Sequence, residues 1–126
     1  LRKHGDWIPI VGDPAGQGSS QSDGKSLFEL YAKEGVYIHP ANNALESGLM
    51  TMLQLMQAGQ FKVFPHLENW WREFRQYRRG KNGQIIKRND HLLDATRYAV
   101  MSGLALARLE PKQMPRLARR ADWRTV

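Results

Sequence analysis

The chain has 126 residues, which suits one compact domain, and its hydrophobic share of 41% with four Trp, four Tyr and four Phe excludes a disordered tail. The absence of cysteine excludes a disulfide framework and a thiolate metal site, and no run approaches the roughly 18 apolar residues that a membrane span needs. The formal net charge of +7 points to a polyanionic partner.

Leu1-Arg2-Lys3-His4-Gly5-Asp6 has no apolar run behind it, so it is not a signal peptide. Leu1 is not a natural start residue, which reads as a fragment or a processed product. Trp7-Ile8-Pro9-Ile10-Val11-Gly12 is a short apolar run bounded by glycine and reads as a buried strand. A long loop of turn-forming residues follows, from Asp13-Pro14-Ala15-Gly16 to Asp23-Gly24. Residues 26–33 read as a helix stopped by Gly35, and Val36-Tyr37-Ile38-His39 as a second strand ended by Pro40.

Asn43 and Glu46 have the spacing of a capping box. Behind them Leu45, Leu49, Met52, Leu53 and Met56 recur at helical spacing up to Gly59. Phe61-Lys62-Val63-Phe64 reads as a third strand stopped by Pro65, and Leu67, Trp70, Trp71, Phe74 and Tyr77 as the apolar face of a third helix. Arg78-Arg79-Gly80-Lys81-Asn82-Gly83 is a basic turn across which Ile85-Ile86-Lys87 pairs as a short strand. Asn89 or Asp90 caps a last helix that runs to about Arg108. Pro111 and Pro115 then open a basic tail with Arg116, Arg119, Arg120 and Arg124. Strands alternating with helices predict an α/β sheet covered by helices.

Four groups of residues are candidates for chemistry. Asp13 ends the first strand, where open α/β sheets place ligands and where a carboxylate can hold a hard cation; the competing reading is that Asp13-Pro14 opens a turn. Asp90 and Asp94 are four apart on one helix, with His91 beside Asp94. Two carboxylates on one face repel unless something positive lies between them, and Mg²⁺ or Mn²⁺ with oxygen ligands fills that role. The alternative is that Asp90 caps the helix while Asp94 pairs with Arg97 on a solvated face. No His or Cys cluster has zinc spacing.

The loop that ends Gly24-Lys25-Ser26 follows a strand and opens a helix, but the glycine spacing departs from that of a phosphate-binding loop. A strand ending in the acid that orders Mg²⁺ is also missing, so ATPase activity is the lesser reading. Finally, Arg72, Arg75, Arg78, Arg79, Lys81, Lys87 and Arg88 crowd around the expected hairpin. Such cations suit phosphate contacts, against the competing reading of a solvated face. The neighbouring Trp70, Trp71 and Phe74 have core spacing and read as packing.

Taken in order, these segments resemble the large subunit of phage terminases. Ile8-Pro9-Ile10-Val11-Gly12-Asp13-Pro14-Ala15-Gly16 is similar to that family's second acidic strand. Phe61-Lys62-Val63-Phe64-Pro65-His66-Leu67-Glu68-Asn69 and Glu73-Phe74-Arg75-Gln76-Tyr77 resemble the segment before its last motif. Asp90-His91-Leu92-Leu93-Asp94-Ala95-Thr96-Arg97-Tyr98 resembles its closing acidic helix.

The resemblance implies an RNase H-like mixed sheet flanked by helices, incomplete at the N-terminus. It implies a nuclease domain over residues 1–109 and a basic tail over 110–126. The implied activity is divalent-metal-dependent endonucleolytic cutting of concatemeric double-stranded DNA, by two ions roughly 4 Å apart. It carries metal binding onto Asp13, Asp90 and Asp94, with His91 as helper and the lead between Asp90 and Asp94 left open. DNA contacts then fall to Arg75, Arg78, Arg79, Lys81, Lys87 and Arg88. The implied cofactor is Mg²⁺ or Mn²⁺. The implied partners are DNA, the portal protein, the small terminase subunit and an upstream ATPase domain, in the cytoplasm of a bacterial host and without a membrane. A first catalytic Asp on an earlier strand, which the family carries, has no counterpart before Trp7, so the isolated fragment is expected to lack a complete metal site; the alternative to a nuclease is a non-catalytic DNA- or portal-binding module.

Overall fold

The structure, a computed structural model, describes residues 5, 7–19 and 24–108. The expected basic tail, with Arg116, Arg119, Arg120 and Arg124, lies outside the described residues.

Two short strands, β1 (Ile10–Gly12) and β2 (Ile38–Pro40), pair in parallel with Ile10 opposite Ile38 and Gly12 opposite Pro40. A parallel pair needs a crossover, and helix α1 (Leu27–Lys33) supplies it. Its start is set locally. The Ser26 hydroxyl accepts from the Glu29 amide at 3.1 Å, and Glu29 Oε2 accepts from the Ser26 amide at 2.7 Å, a reciprocal capping box. Both Ser26 groups that a phosphate-binding loop would turn toward a nucleotide are thereby engaged, and Ser26 is buried.

Three further helices follow: α2 (Leu45–Gln57), α3 (Glu68–Gln76) and α4 (His91–Tyr98). The last continues through a π-helical turn, Ala99–Gly103, into a final turn, Leu104–Leu106. The helix α4 and its continuation pack on β1, on α2 and, at the other end, on α3. The core is drawn from every layer: Ala41 after β2, Met52 of α2, Trp70 of α3, Leu93 of α4 and Val100 of the π turn are all buried. The α/β class is therefore as expected, with a sheet of two strands among the described residues.

Residues 61–64 do not form the expected third strand. They keep a strand-like alternation, with Phe61 and Val63 half-buried and Lys62 and Phe64 exposed. No described strand lies alongside to complete a ladder, and the Phe64 carbonyl instead accepts from the Trp71 indole at 3.1 Å. The Asn43–Glu46 capping box also fails. Ala44 is the N-cap of α2, the neighbouring Asn42 side chain accepts from the Ala44 amide at 3.0 Å, and Glu46 is drawn away by Arg79, which grips both its oxygens at 2.8 and 2.7 Å. An exposed bidentate Arg pair has outcompeted a local cap. The hairpin does form, as a bridge between Arg79 and Ile85 closed by Gly83 at φ +76°.

One glycine decides how α2 meets α4. A Cβ on Gly48 would lie 2.6 Å from Arg97 Cγ and 2.7 Å from its Cδ. Glycine inside a helix normally costs about 0.5–1 kcal/mol against alanine, so Gly48→Ala would ordinarily stabilise. Here the Arg97 stem is held by its own hydrogen bonds and cannot swing away. Overpacking costs of about 1–3 kcal/mol apply, and chemical denaturation of Gly48→Ala is expected to show a net loss of stability. A gain would show that the Arg97 stem yields freely.

Candidate functional site

The chain reverses sharply just before α4. Asn89 adopts a left-handed backbone at φ +50°, a conformation asparagine tolerates better than most residues. The next residue, Asp90, is the N-cap of α4, but its side chain caps nothing. That role falls to Glu73 of α3, whose Oε2 accepts from the Leu92 amide at 2.8 Å and the Leu93 amide at 3.1 Å. A carboxylate at a helix N-terminus satisfies orphan amides and meets the positive end of the helix dipole. The Asp90 side chain is thereby left for another purpose. The Trp70 indole, donating to Thr96 Oγ1 at 2.9 Å, holds α3 against α4 one turn further on.

Asp90 and Asp94 share a face, as their spacing predicts, and something positive does lie between them: the Lys87 ammonium. Lys87 Nζ is 2.7 Å from Asp90 Oδ2 and 2.9 and 2.7 Å from the two oxygens of Asp94. Asp90 is buried, and the Lys87 ammonium is the charge that compensates its carboxylate there.

Asp94 is gripped from its other side as well. Arg97 Nη2 donates to Asp94 Oδ1 at 2.9 Å, while Nη1 donates to the carbonyls of Asn43 at 2.7 Å and Ala44 at 3.3 Å. The Arg97 side chain is only 4% exposed. The expected Asp94–Arg97 pair therefore exists, but it is buried rather than on a solvated face. Burial pushes the Asp94 carboxyl up; hydrogen bonds and charge from Lys87 and Arg97 outweigh it and hold it below the usual carboxylate value.

Two tyrosines border this cluster. Tyr77, expected on an apolar helix face, has its hydroxyl pushed up by burial and lies within the fields of Lys87, Asp94 and Asp90. Tyr98 is pushed up by burial and then by the carboxylates of Asp13 and Asp94, and its ring lies 4.8 Å under the Arg97 guanidinium. Tyr77 is marked in the sequence only as an aromatic residue at helical spacing and Tyr98 only as the last residue of the acidic-helix segment, so neither signal singles them out as neighbours of the acids.

Asp13 stands directly after β1, as expected, and it also opens a turn: its Oδ1 accepts from the Ala15 amide at 2.9 Å and caps a 3₁₀ turn, Pro14–Gln17. Its carboxylate faces Tyr98. Among the described residues, no three acidic or imidazole side chains close into one metal-holding group. Asp90 and Asp94 are brought together; Asp13 approaches through Tyr98. His91 is not brought to either acid. It is exposed, makes no hydrogen bond or ion pair with them, and lines a separate cleft with Asn69, Arg72 and Glu73. As the first residue of α4 it turns toward α3, whereas Asp90 and Asp94 turn toward Lys87.

The residues expected to bind DNA also divide. Arg79 is held by Glu46 and by the Gly83 carbonyl at 2.9 Å, and Lys87 by the two acids. Arg75, Arg78, Lys81 and Arg88 are exposed. The donor set around Lys87 suits a hard divalent ion: two adjacent carboxylates that already share one cation, one of them buried. Asp90 and Asp94 are the residues that would hold it.

Comparisons with known proteins identify the family. The family model described as the terminase RNaseH-like domain matches residues 9–102. The chain is 38% identical over 104 residues to the terminase large subunit of Enterobacteria phage LP7, covering 77% of this chain and 22% of that protein. It is 39% identical over 101 residues to the terminase large subunit of Salmonella phage P22, covering 75% and 20%. It thus spans about a fifth of the length of these relatives. The solved P22 large terminase nuclease domain matches with a TM-score of 0.63 at 37% identity, over 81% of this chain and 57% of that one. With matched segments running from the residue before β1 to the π turn after α4, the chain belongs to the terminase RNaseH-like domain family.

Proposed function

We propose that this domain cuts double-stranded DNA during viral genome packaging, by divalent-metal-dependent phosphodiester hydrolysis. One observation carries the reading: the Asp90–Asp94 pair on α4, drawn around a single cation, with Asp90 buried. Bound divalent ions, Mg²⁺ or Mn²⁺ in a two-ion arrangement, would supply the activation of water and the stabilisation of the leaving oxygen. Asp90 and Asp94 hold the cationic centre. Arg97 fixes Asp94 from behind, and Asp13 with Tyr98 marks the strand side of the site. Lys87 stands in for the metal charge and must give up its contacts when the carboxylates bind another cation. Concatemeric DNA, the portal protein, the small subunit and an upstream ATPase domain are the partners this reading assigns, and the host cytoplasm is its setting. The described residues contain no helix long and apolar enough to cross a membrane.

The test pairs two readouts on a version of the domain extended upstream to include the first acidic strand, on its Asp13→Ala variant and on this chain beside them: Mn²⁺ binding followed by paramagnetic resonance, and plasmid nicking in Mn²⁺ or Mg²⁺ against a chelator. Divalent binding, with nicking abolished by chelator and reduced in Asp13→Ala, is expected. A second reading, DNA binding without cutting, draws on the lack of a three-ligand group among the described residues. DNA binding indifferent to chelator, with no divalent binding at all, would establish it and overturn the nuclease reading.

A further inference from the structure

The cations near the hairpin are not equivalent, and the difference identifies a binding site. Arg79, Lys87 and Arg97 are each committed to partners within the fold. The side chains of Arg75 at the end of α3, Arg78 at the start of the hairpin and Arg88 before α4 make no ion pair or hydrogen bond among the described residues, and all three residues are exposed. They come from the end of α3 and from the two sides of the hairpin, and they line one cleft of about 670 Å³, together with Gln76, Ile86 and Asn89. No carboxylate lines it.

Three guanidiniums brought to one cleft without an acid among them repel each other. The arrangement is favourable only if an anion, or abundant counter-ions, offsets that repulsion. Each guanidinium presents a planar fork of donors that matches phosphate oxygens. The amide of Asn89 and the apolar Ile86 add a neutral donor and a floor. The cleft is concave and open, as an extended polymer backbone requires.

Its position gives it a purpose. The left-handed turn at Asn89 separates Arg88, which lines the cleft, from Asp90, which is buried beside Lys87. Consecutive residues thus serve two adjoining places, and the lip of the cleft is the start of the acidic cluster. We infer that Arg75, Arg78 and Arg88 form a seat for the phosphodiester backbone of duplex DNA, which leads one strand to Asp90 and Asp94. The direction of delivery rests on the nuclease reading; the binding site does not.

The experiment measures affinity for a short duplex and for the corresponding single strand, in chelator, across a range of salt. The proteins are the full chain, the single variants Arg75→Gln, Arg78→Gln and Arg88→Gln, the conservative Arg88→Lys, and two controls, Lys33→Gln and Lys62→Gln, which neutralise exposed cations outside the cleft. Because the three arginines hold nothing else in the fold, their loss is expected to leave stability unchanged. Each glutamine variant is expected to weaken duplex binding about tenfold, the scale of one charge-assisted hydrogen bond. Each is also expected to lower the slope of log affinity against log salt by about one. Arg88→Lys recovers the slope but only part of the affinity. The two controls change little. Equal losses in cleft and control variants would show a diffuse charge effect and overturn the seat, and tighter binding of single strand with the same arginine dependence would overturn the duplex assignment. Because chelator silences divalent-dependent cutting, this measurement reads the seat alone; arginine-dependent binding by a protein that shows no nicking when Mn²⁺ or Mg²⁺ is supplied would sustain the seat while sinking the nuclease reading.

Discussion

Asp94→Asn is expected to lower divalent-dependent nicking by about 10²–10³-fold, the usual scale for loss of one preorganised electrostatic group, while the domain stays folded. The substitution is nearly isosteric. An amide oxygen remains to accept from Arg97 Nη2, which now donates to Asp94 Oδ1 at 2.9 Å, so the buried guanidinium keeps a partner. What disappears is the negative charge. Asp94 contributes both of its oxygens to the Lys87 ammonium, and a neutral side chain there leaves Asp90 as the single carboxylate on this face of α4. The pair that could hold a hard ion becomes one. Mn²⁺ affinity should fall together with nicking, and both should be read beside a denaturation curve. Undiminished nicking by a folded Asp94→Asn protein would remove this carboxylate from the chemistry.

The second large effect concerns stability. Arg97→Met is expected to destabilise the domain by about 3–5 kcal/mol, the range for breaking a buried ion pair by removing one member. Methionine fills much of the space beside Gly48 but offers no donor. The carbonyls of Asn43 and Ala44, which sit just before α2, lose the hydrogen bonds from Nη1, and Asp94 loses one of its two cations. Arg97→Lys restores the charge without the fork and should recover only part of the loss. A drop below about 1 kcal/mol in urea denaturation, against the usual range for a buried pair, would mean the guanidinium is not what joins α2 to α4.

The same pair sets the acid limit of the fold. The Asp94 carboxyl in the folded protein lies below its ordinary value of 3.8. Its contribution is therefore complete above that value and is lost as pH falls through the lower, folded one. In Arg97→Met the depression weakens, so acid unfolding should depend less on Asp94.

Much of the site was open to reading from local rules. A β-branched run ending in Asp13 places that acid after β1, and a four-residue spacing puts Asp90 and Asp94 on one face of α4; both follow from periodicities of two and 3.6 residues, which neighbouring residues determine by themselves. The hairpin followed from turn chemistry in the same way. The family resemblance was legible because these local signals occur in the family's order.

Other features required the tertiary structure. Residues 61–64 have the alternation of a strand, but a strand exists only where another supplies its ladder, and none does among the described residues. Asn43 and Glu46 have capping-box spacing, but Arg79, 33 residues from Glu46, competes for the same carboxylate. Glu73 caps α4 from 19 residues away. Lys87, read as a DNA contact because it belongs to a basic run, instead neutralises the acid pair, whereas Arg88 beside it lines the cleft. Charge and spacing in the sequence determined which groups were available for metal and phosphate; the packing of α3 and the hairpin against α4 decided which of them face each other, because ion pairs and caps are settled by distance in space between segments that are remote along the chain.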